Sequence, residues 1–166
     1  QVASLLKVDE ERVVERLERL LESVKEMESQ ISERRSRSQA EEVDRILAEV
    51  PAKSVGSARF LMNRRDGTEV GDLRKLAISL GRKLGSSLVV LGSARDSSAN
   101  LVAAASPDLV SRGVSAQEVL SQGAALLGGR AGGRAELAIA GGAQAAEIDR
   151  AMEAVERDAL DALGRE

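Results

Sequence analysis

LGSSLVVLGSARDSSANLVAAA (residues 84–105) holds two apolar runs too short for helices, with turn-forming residues between them. Leu88, Val89, Val90 and Leu91 form an unbroken run rich in β-branched side chains, the pattern of a buried strand. Asp96, Ser97, Ser98 and Asn100 favour a turn. Leu101 to Ala105 then return as a second strand, so the two are expected to form a hairpin. Upstream, Val70, Leu73, Leu76, Ala77, Leu80 and Leu84 share one helical face, with Thr68 placed to cap the helix and Gly85 to end it. Ala58 to Asn63 is suited to a further short strand, closed by the turn residues Asp66 and Gly67.

The same reading extends downstream. Ser106 and Pro107 start a short helical turn closed by Gly113. Ser115 and Glu118 form a capping box for a helix anchored by Val119, Leu120, Leu126 and Leu127. A glycine-rich loop spans 128–142 and includes a short apolar run from Leu137 to Ala140. A last helix covers about Ala146 to Leu163. The fold class expected is α/β: a mixed sheet flanked by helices, of roughly a hundred residues, enough for one core. It occupies 57–166.

Residues 1–56 read as a helical subdomain. Asp9 can cap a helix that carries Glu10 and Glu11 in its first turn. Val13, Leu17, Leu20, Val24, Met27 and Ile31 alternate steps of four and three, a heptad seam of about three heptads. It stops at Arg34, Arg35, Ser36, Arg37 and Ser38. Val43, Ile46, Leu47 and Val50 then share a face before Pro51. The break is either a helix–helix turn or a polar stretch of one helix. A helix of this length is marginal alone in water, so its seam either packs on its own chain or pairs with a second copy.

Composition removes several function classes. The 166 residues contain neither Cys nor His, which excludes disulfides, thiolate nucleophiles and Cys/His zinc sites. The usual general base near neutral pH is missing as well. No acidic cluster on a loop suggests a carboxylate metal site, so neither catalytic residues nor a cofactor are expected in this chain. Phe60 is the only aromatic residue, so nucleic-acid binding cannot depend on aromatic stacking. No apolar run approaches the ~18 residues of a membrane span, nothing at the start resembles a secretory signal, and a cytoplasmic setting is expected. The start at Gln1 reads as that of an excised piece. Net charge is −3 but unevenly spread: −4 over 1–50, +5 over 51–146 and −4 over 147–166. A basic middle between acidic flanks suits a polyanion partner, and chance clustering gives the same pattern.

Gly128-Gly129-Arg130-Ala131-Gly132-Gly133-Arg134 is the most informative segment for function. It follows a helix rather than a strand and lacks Lys-Ser/Thr, so it is neither a dinucleotide fingerprint nor a Walker loop. Successive glycines let the backbone approach a ligand and present N–H groups to it. Arg130 and Arg134 add guanidinium groups that can fork onto phosphate or lie flat on a base. A turn whose glycines merely supply positive φ is the alternative. Arg74, Lys75, Arg82 and Lys83 lie along one helix and can neutralise further phosphates, or simply be solvated.

Asp72-Leu73-Arg74, Leu84-Gly85, Val89-Val90-Leu91-Gly92, Leu101-Val102-Ala103-Ala104, Pro107-Asp108-Leu109, Leu127-Gly128-Gly129, Gly132-Gly133-Arg134 and Ala138-Ile139-Ala140-Gly141-Gly142 stand in a telling order. Together, over Asp72 to Gly142, they resemble the nucleic-acid-binding domain associated with DHH phosphoesterases. The form is the one found at the carboxy terminus of alanyl-tRNA synthetases, and the heptad helix resembles the linker that follows their editing domain. Phosphoesterase members typically have His where Arg134 stands, so the synthetase branch fits better. Ala135, Glu136, Leu137 and Ile139 depart from the usual Pro-Asp-Met and Gln, which is expected to loosen the loop and remove a polar contact.

The resemblance implies an RNA-binding domain that holds the outer corner of tRNA(Ala), where the D and T loops meet. One bound tRNA then serves both aminoacylation and editing by the other domains of the same synthetase. In such a ligase ATP, zinc and magnesium belong to the parent enzyme rather than to this part. It also implies a possible homodimer. Arg130, Gly132, Gly133 and Arg134 are the expected RNA contacts, with Arg74, Lys75, Arg82 and Lys83 in support. The alternatives are a homo-oligomerisation module with little RNA contact, and the end domain of a stand-alone alanyl-tRNA editing protein.

Overall fold

The computed structural model describes residues 13–164; the helix start expected at Asp9 to Glu11 lies outside them. Helix α1 spans Val13–Glu49. It runs through Arg34 to Ser38 without interruption, which resolves the open choice in favour of one helix. No Gly or Pro falls in that stretch, and Arg and Gln are good helix formers even where no core supports them. The chain divides into two units, residues 1–42 and 43–166. The second therefore begins fourteen residues before the expected boundary at Ser57. The cause is packing, since Val43 and Ile46 are buried in its core and Leu47 packs against it.

This second unit is a six-stranded mixed sheet with helices on both faces. Its strands are β1 (Lys53–Val55), β2 (Ala58–Arg64), β3 (Ser87–Arg95), β4 (Ser98–Ala105), β5 (Arg130–Gly133) and β6 (Leu137–Gly142). They lie in the order β1-β2-β3-β4-β6-β5. Only β2 and β3 are parallel, with α2 (Val70–Leu84) as their crossover. The other pairs are antiparallel. α3 (Pro107–Ser111) and α4 (Ala116–Leu126) connect β4 to β5, and α5 (Ile148–Leu163) closes the unit.

Alternation along the strands divides the core in two, because successive side chains leave opposite faces of a sheet. Phe60, Leu88, Val90, Leu101, Ala103, Ala138 and Ala140 join a cluster with α4 and α5. Leu61, Val89, Leu91, Val102 and Ala104 join another with Leu73, Leu76, Ala77 and Leu80 of α2 and the end of α1. α4 lies across β4, β6 and β5, whereas α2 packs on β3 and β4. One face is thus roofed out to the sheet edge, and the other is open over β6 and β5.

Several local expectations are corrected. Thr68 does not cap α2; Glu69 occupies that position without a side-chain hydrogen bond. Thr68 instead offers its carbonyl to the Ser93 hydroxyl at 2.9 Å, a bond that fixes the loop to buried β3. The β3–β4 turn contains only Asp96 and Ser97, since Arg95 pairs with Ser98, so Ser98 and Asn100 belong to β4. Asp96 takes a positive φ of 52°, as a two-residue hairpin requires and as Asp tolerates. Ser115 caps α4 as expected, accepting from the Glu118 N–H at 3.4 Å. The last helix is preceded by a 3-10 turn at Ala145–Glu147.

Polar contacts tie the loops to this frame. Arg64 donates to Asp66, with Nε at 2.9 Å and 3.0 Å from its two oxygens, and to Asp149 at the start of α5. The Arg64 bond, then the Ala94 N–H, hold the Asp66 carboxyl below its usual range. Asp108 is held at about 2 by hydrogen bonds from Ser106 first and Ser86 next, opposed by some desolvation.

Candidate nucleic-acid interface

The glycine-rich segment is more ordered than its composition suggests. Gly128, at φ 78°, ends α4. Arg130–Gly133 then forms the edge strand β5, paired with β6 through Arg130↔Gly141, Ala131↔Ala140, Gly132↔Ile139 and Gly133↔Ala138. The expected loop is therefore largely a strand. Its tip, Arg134 to Leu137, is closed by reciprocal backbone bonds, Arg134 N–H to Leu137 O at 2.9 Å and Leu137 N–H to Arg134 O at 3.2 Å. The carbonyls of Ala135 and Glu136 accept from Ala116 and Ala105 N–H, both at 2.9 Å. Those bonds pin the turn to α4 and β4.

The glycines serve different ends. A Cβ on Gly129 would overlap the Gly141 carbonyl oxygen, and one on Gly133 would overlap that of Leu137. Gly133 also has φ 134°, a region that L side chains rarely adopt. Both are required by the fold. Gly132 is different: nothing lies within 4 Å of where its Cβ would stand. The pleat aims that open space toward the face that α2 leaves uncovered.

A groove of about 530 Å³ opens there, lined by Arg74, Gly132, Gly133, Arg134, Glu136, Leu137 and Ile139. Its origin is the short roof: α2 presents Arg74 at one side, and the β5–β6 hairpin presents its tip at the other. Leu137 and Ile139, half-buried, supply an apolar lining. Ile139 stands where the resemblance would have placed Gln, so the lost polar contact is replaced by apolar surface.

The structure separates the expected contact residues by position and by partner. Arg74, Gly132, Gly133 and Arg134 share the groove. Arg130 shares the sheet face of Gly132 but lies outside the groove, opposite Gly141. Lys75 pairs with Asp72 at 3.3 Å and Lys83 with Asp44. Arg82 is exposed farther along α2. Among the described residues Arg74, Arg82, Arg130 and Arg134 make no ion pair or side-chain hydrogen bond, so their guanidinium groups are available to an outside anion. Residues 135–137 were singled out only for departing from a pattern; Glu136 and Leu137 prove to line the site.

The seam residues Leu17, Leu20, Val24, Met27 and Ile31 are exposed on α1, as are Val14 and Leu21 beside them. Val13 begins the helix. Among the described residues no group of His, Cys, Asp and Glu is placed to hold a metal ion, and no helix is long and apolar enough to cross a membrane.

The model of the DHHA1 domain family matches residues 54–159. Alanine–tRNA ligase of Alkaliphilus oremlandii (strain OhILAs) is 33% identical over 165 residues, covering 99% of this chain and 18% of the ligase. That of Shewanella loihica (strain ATCC BAA-1088 / PV-4) is 36% identical over 155 residues, covering 93% and 17%. This chain thus spans less than a fifth of the curated relatives it matches. The crystal structure of the C-Ala domain from Aquifex aeolicus alanyl-tRNA synthetase superposes with a TM-score of 0.58 at 26% identity, covering 68% of this chain and 97% of that one. RecJ from Thermus thermophilus, with bound Mn2+, shares the fold at TM-score 0.55 and 18% identity, covering 80% of this chain and 18% of RecJ.

Proposed function

Since this chain belongs to the DHHA1 domain family, we propose that it is the tRNA-binding carboxy-terminal part of an alanine–tRNA ligase. The observation that carries this reading is the groove that joins Arg74 and Arg134, both free of ion pairs among the described residues, to the open backbone at Gly132. Phosphate recognition needs unpaired cations and close backbone approach, and the groove has both. The likeness to alanine–tRNA ligases over nearly the whole chain supports tRNA(Ala) as the RNA.

The binding site on the tRNA is its elbow, and the chain acts by holding. It keeps one tRNA(Ala) in place while the aminoacylation and editing domains of the same ligase each reach the acceptor end. In this reading the groove residues hold the RNA, and the chemistry is carried by the other domains of the ligase. Whole tRNA(Ala) is expected to bind far more tightly than an acceptor minihelix lacking the elbow. Equal affinity for the two contradicts the elbow reading.

A second reading concerns α1. Its run of exposed apolar side chains is the kind of stripe that two helices bury against each other, and the occupant proposed is a second copy of this chain. Sedimentation is expected to show a dimer for the whole chain and a monomer for a version beginning near residue 40. A monomer in both cases ends this reading and leaves the RNA site untouched.

A further inference from the structure

The groove is not purely cationic. Glu136 lines it together with Arg74 and Arg134, yet it makes no ion pair with either, nor any side-chain hydrogen bond among the described residues. Its backbone is fixed, because its carbonyl accepts from Ala105 N–H at 2.9 Å. A carboxylate beside two guanidinium groups weakens the pull on a bare phosphate, so a site evolved for phosphate alone has no use for it. A nucleotide has use for all three. Its phosphates take the arginines, its ring takes the apolar lining of Leu137 and Ile139, and its base edge can donate to an acid.

We propose, resting on the RNA-binding reading above, that Glu136 makes this groove selective for a guanine whose Watson–Crick edge is free. The reason is donor geometry. A carboxylate has two acceptor oxygens and no proton to give. Guanine presents two adjacent donors, N1–H and the N2 amino group, which a carboxylate accepts side by side. Adenine and cytosine present one amino donor beside an acceptor nitrogen that repels the second oxygen. Uracil presents one imino donor between two carbonyls that repel the carboxylate. Matched bidentate pairs separate right from wrong bases by about tenfold or more, and the positive charge of the two arginines sets affinity without distinguishing bases.

The test uses the whole 166-residue chain and short fluorescent uridine tracts with one central G, A, C or inosine, titrated at low salt. The G-bearing tract is expected to bind about tenfold more tightly than the A- or C-bearing ones. Inosine, which keeps N1–H but lacks the amino group, is expected to fall between. Glu136→Gln, an exposed substitution, is expected to abolish the preference for G, because its amide offers one acceptor and one donor and so matches the amino group and ring nitrogen of adenine or cytosine instead. Equal affinity for all tracts in the wild-type protein overturns the guanine assignment and leaves the RNA-binding reading standing. A ranking that survives in Glu136→Gln overturns the role of Glu136. Absence of binding to any tract and to tRNA removes both.

Discussion

The two faces of the sheet differ in how far their helices reach. On one, α4 and α5 cover the strands out to β5 and bury Ala138 and Ala140. On the other, α2 and the end of α1 stop over the middle strands, leaving Leu137 and Ile139 half-buried beside Gly132 and Arg74. The same two strands, β5 and β6, are thus core on one side and groove on the other. Period-two alternation lets one short hairpin serve stability and binding through different residues. The comparison can be broken by substitutions that act on one side only.

The largest effect expected is on the roofed face. Phe60, fully buried there, should cost about 3–5 kcal/mol when changed to Ala, read from denaturant melts, with the RNA affinity of the folded fraction unchanged. Next come the two adjacent glycines. Gly133→Ala should destabilise by about 1–3 kcal/mol, because the native φ strains any side chain. Gly132→Ala should shift stability by less than about 1 kcal/mol yet weaken RNA binding, since its methyl enters the groove. Equal melting of the two variants would contradict the open space at Gly132. Smaller still, Lys83→Ala should alter RNA affinity by less than about 0.5 kcal/mol, as expected for a cation already paired at the surface.

A pH-dependent effect is expected of Asp108, in the first turn of α3. Its folded pKa, about 2, lies below the ordinary 3.8. The carboxylate therefore contributes stability that is fully present above about 3.8 and fades as pH falls toward 2. Acid titration of the melting midpoint should show this step reduced in Asp108→Asn.

Much of this architecture was legible in the sequence because burial imposes period. The α2 stripe followed from it, Leu88 to Leu91 from an unbroken apolar run, and the Ser115 cap from its capping-box residues. What escaped lacked a side-chain signature. Lys53–Val55 is a three-residue edge strand with no alternation to read. Arg130–Gly133 has poor strand propensity and is a strand only because β6 pairs with it. The extension of the second unit back to Val43 was hidden because Val43, Ile46 and Leu47 announce an apolar face without naming what covers it. In the candidate site, the arginines and glycines could be named from the sequence, but not which of them meet. Spacing along α2 grouped Lys75 and Lys83 with Arg74, and their ion pairs and their place outside the groove set them apart.

The central claim is that the uncovered end of the second face grips RNA through Arg74 and Arg134. Binding of tRNA(Ala) measured across a series of salt concentrations, with the double variant Arg74→Ala, Arg134→Ala beside the wild-type protein, tests it most directly. The account predicts weaker binding and a log–log salt slope shallower by about two, one for each lost phosphate contact. A double variant with the slope and affinity of the wild-type protein would contradict it.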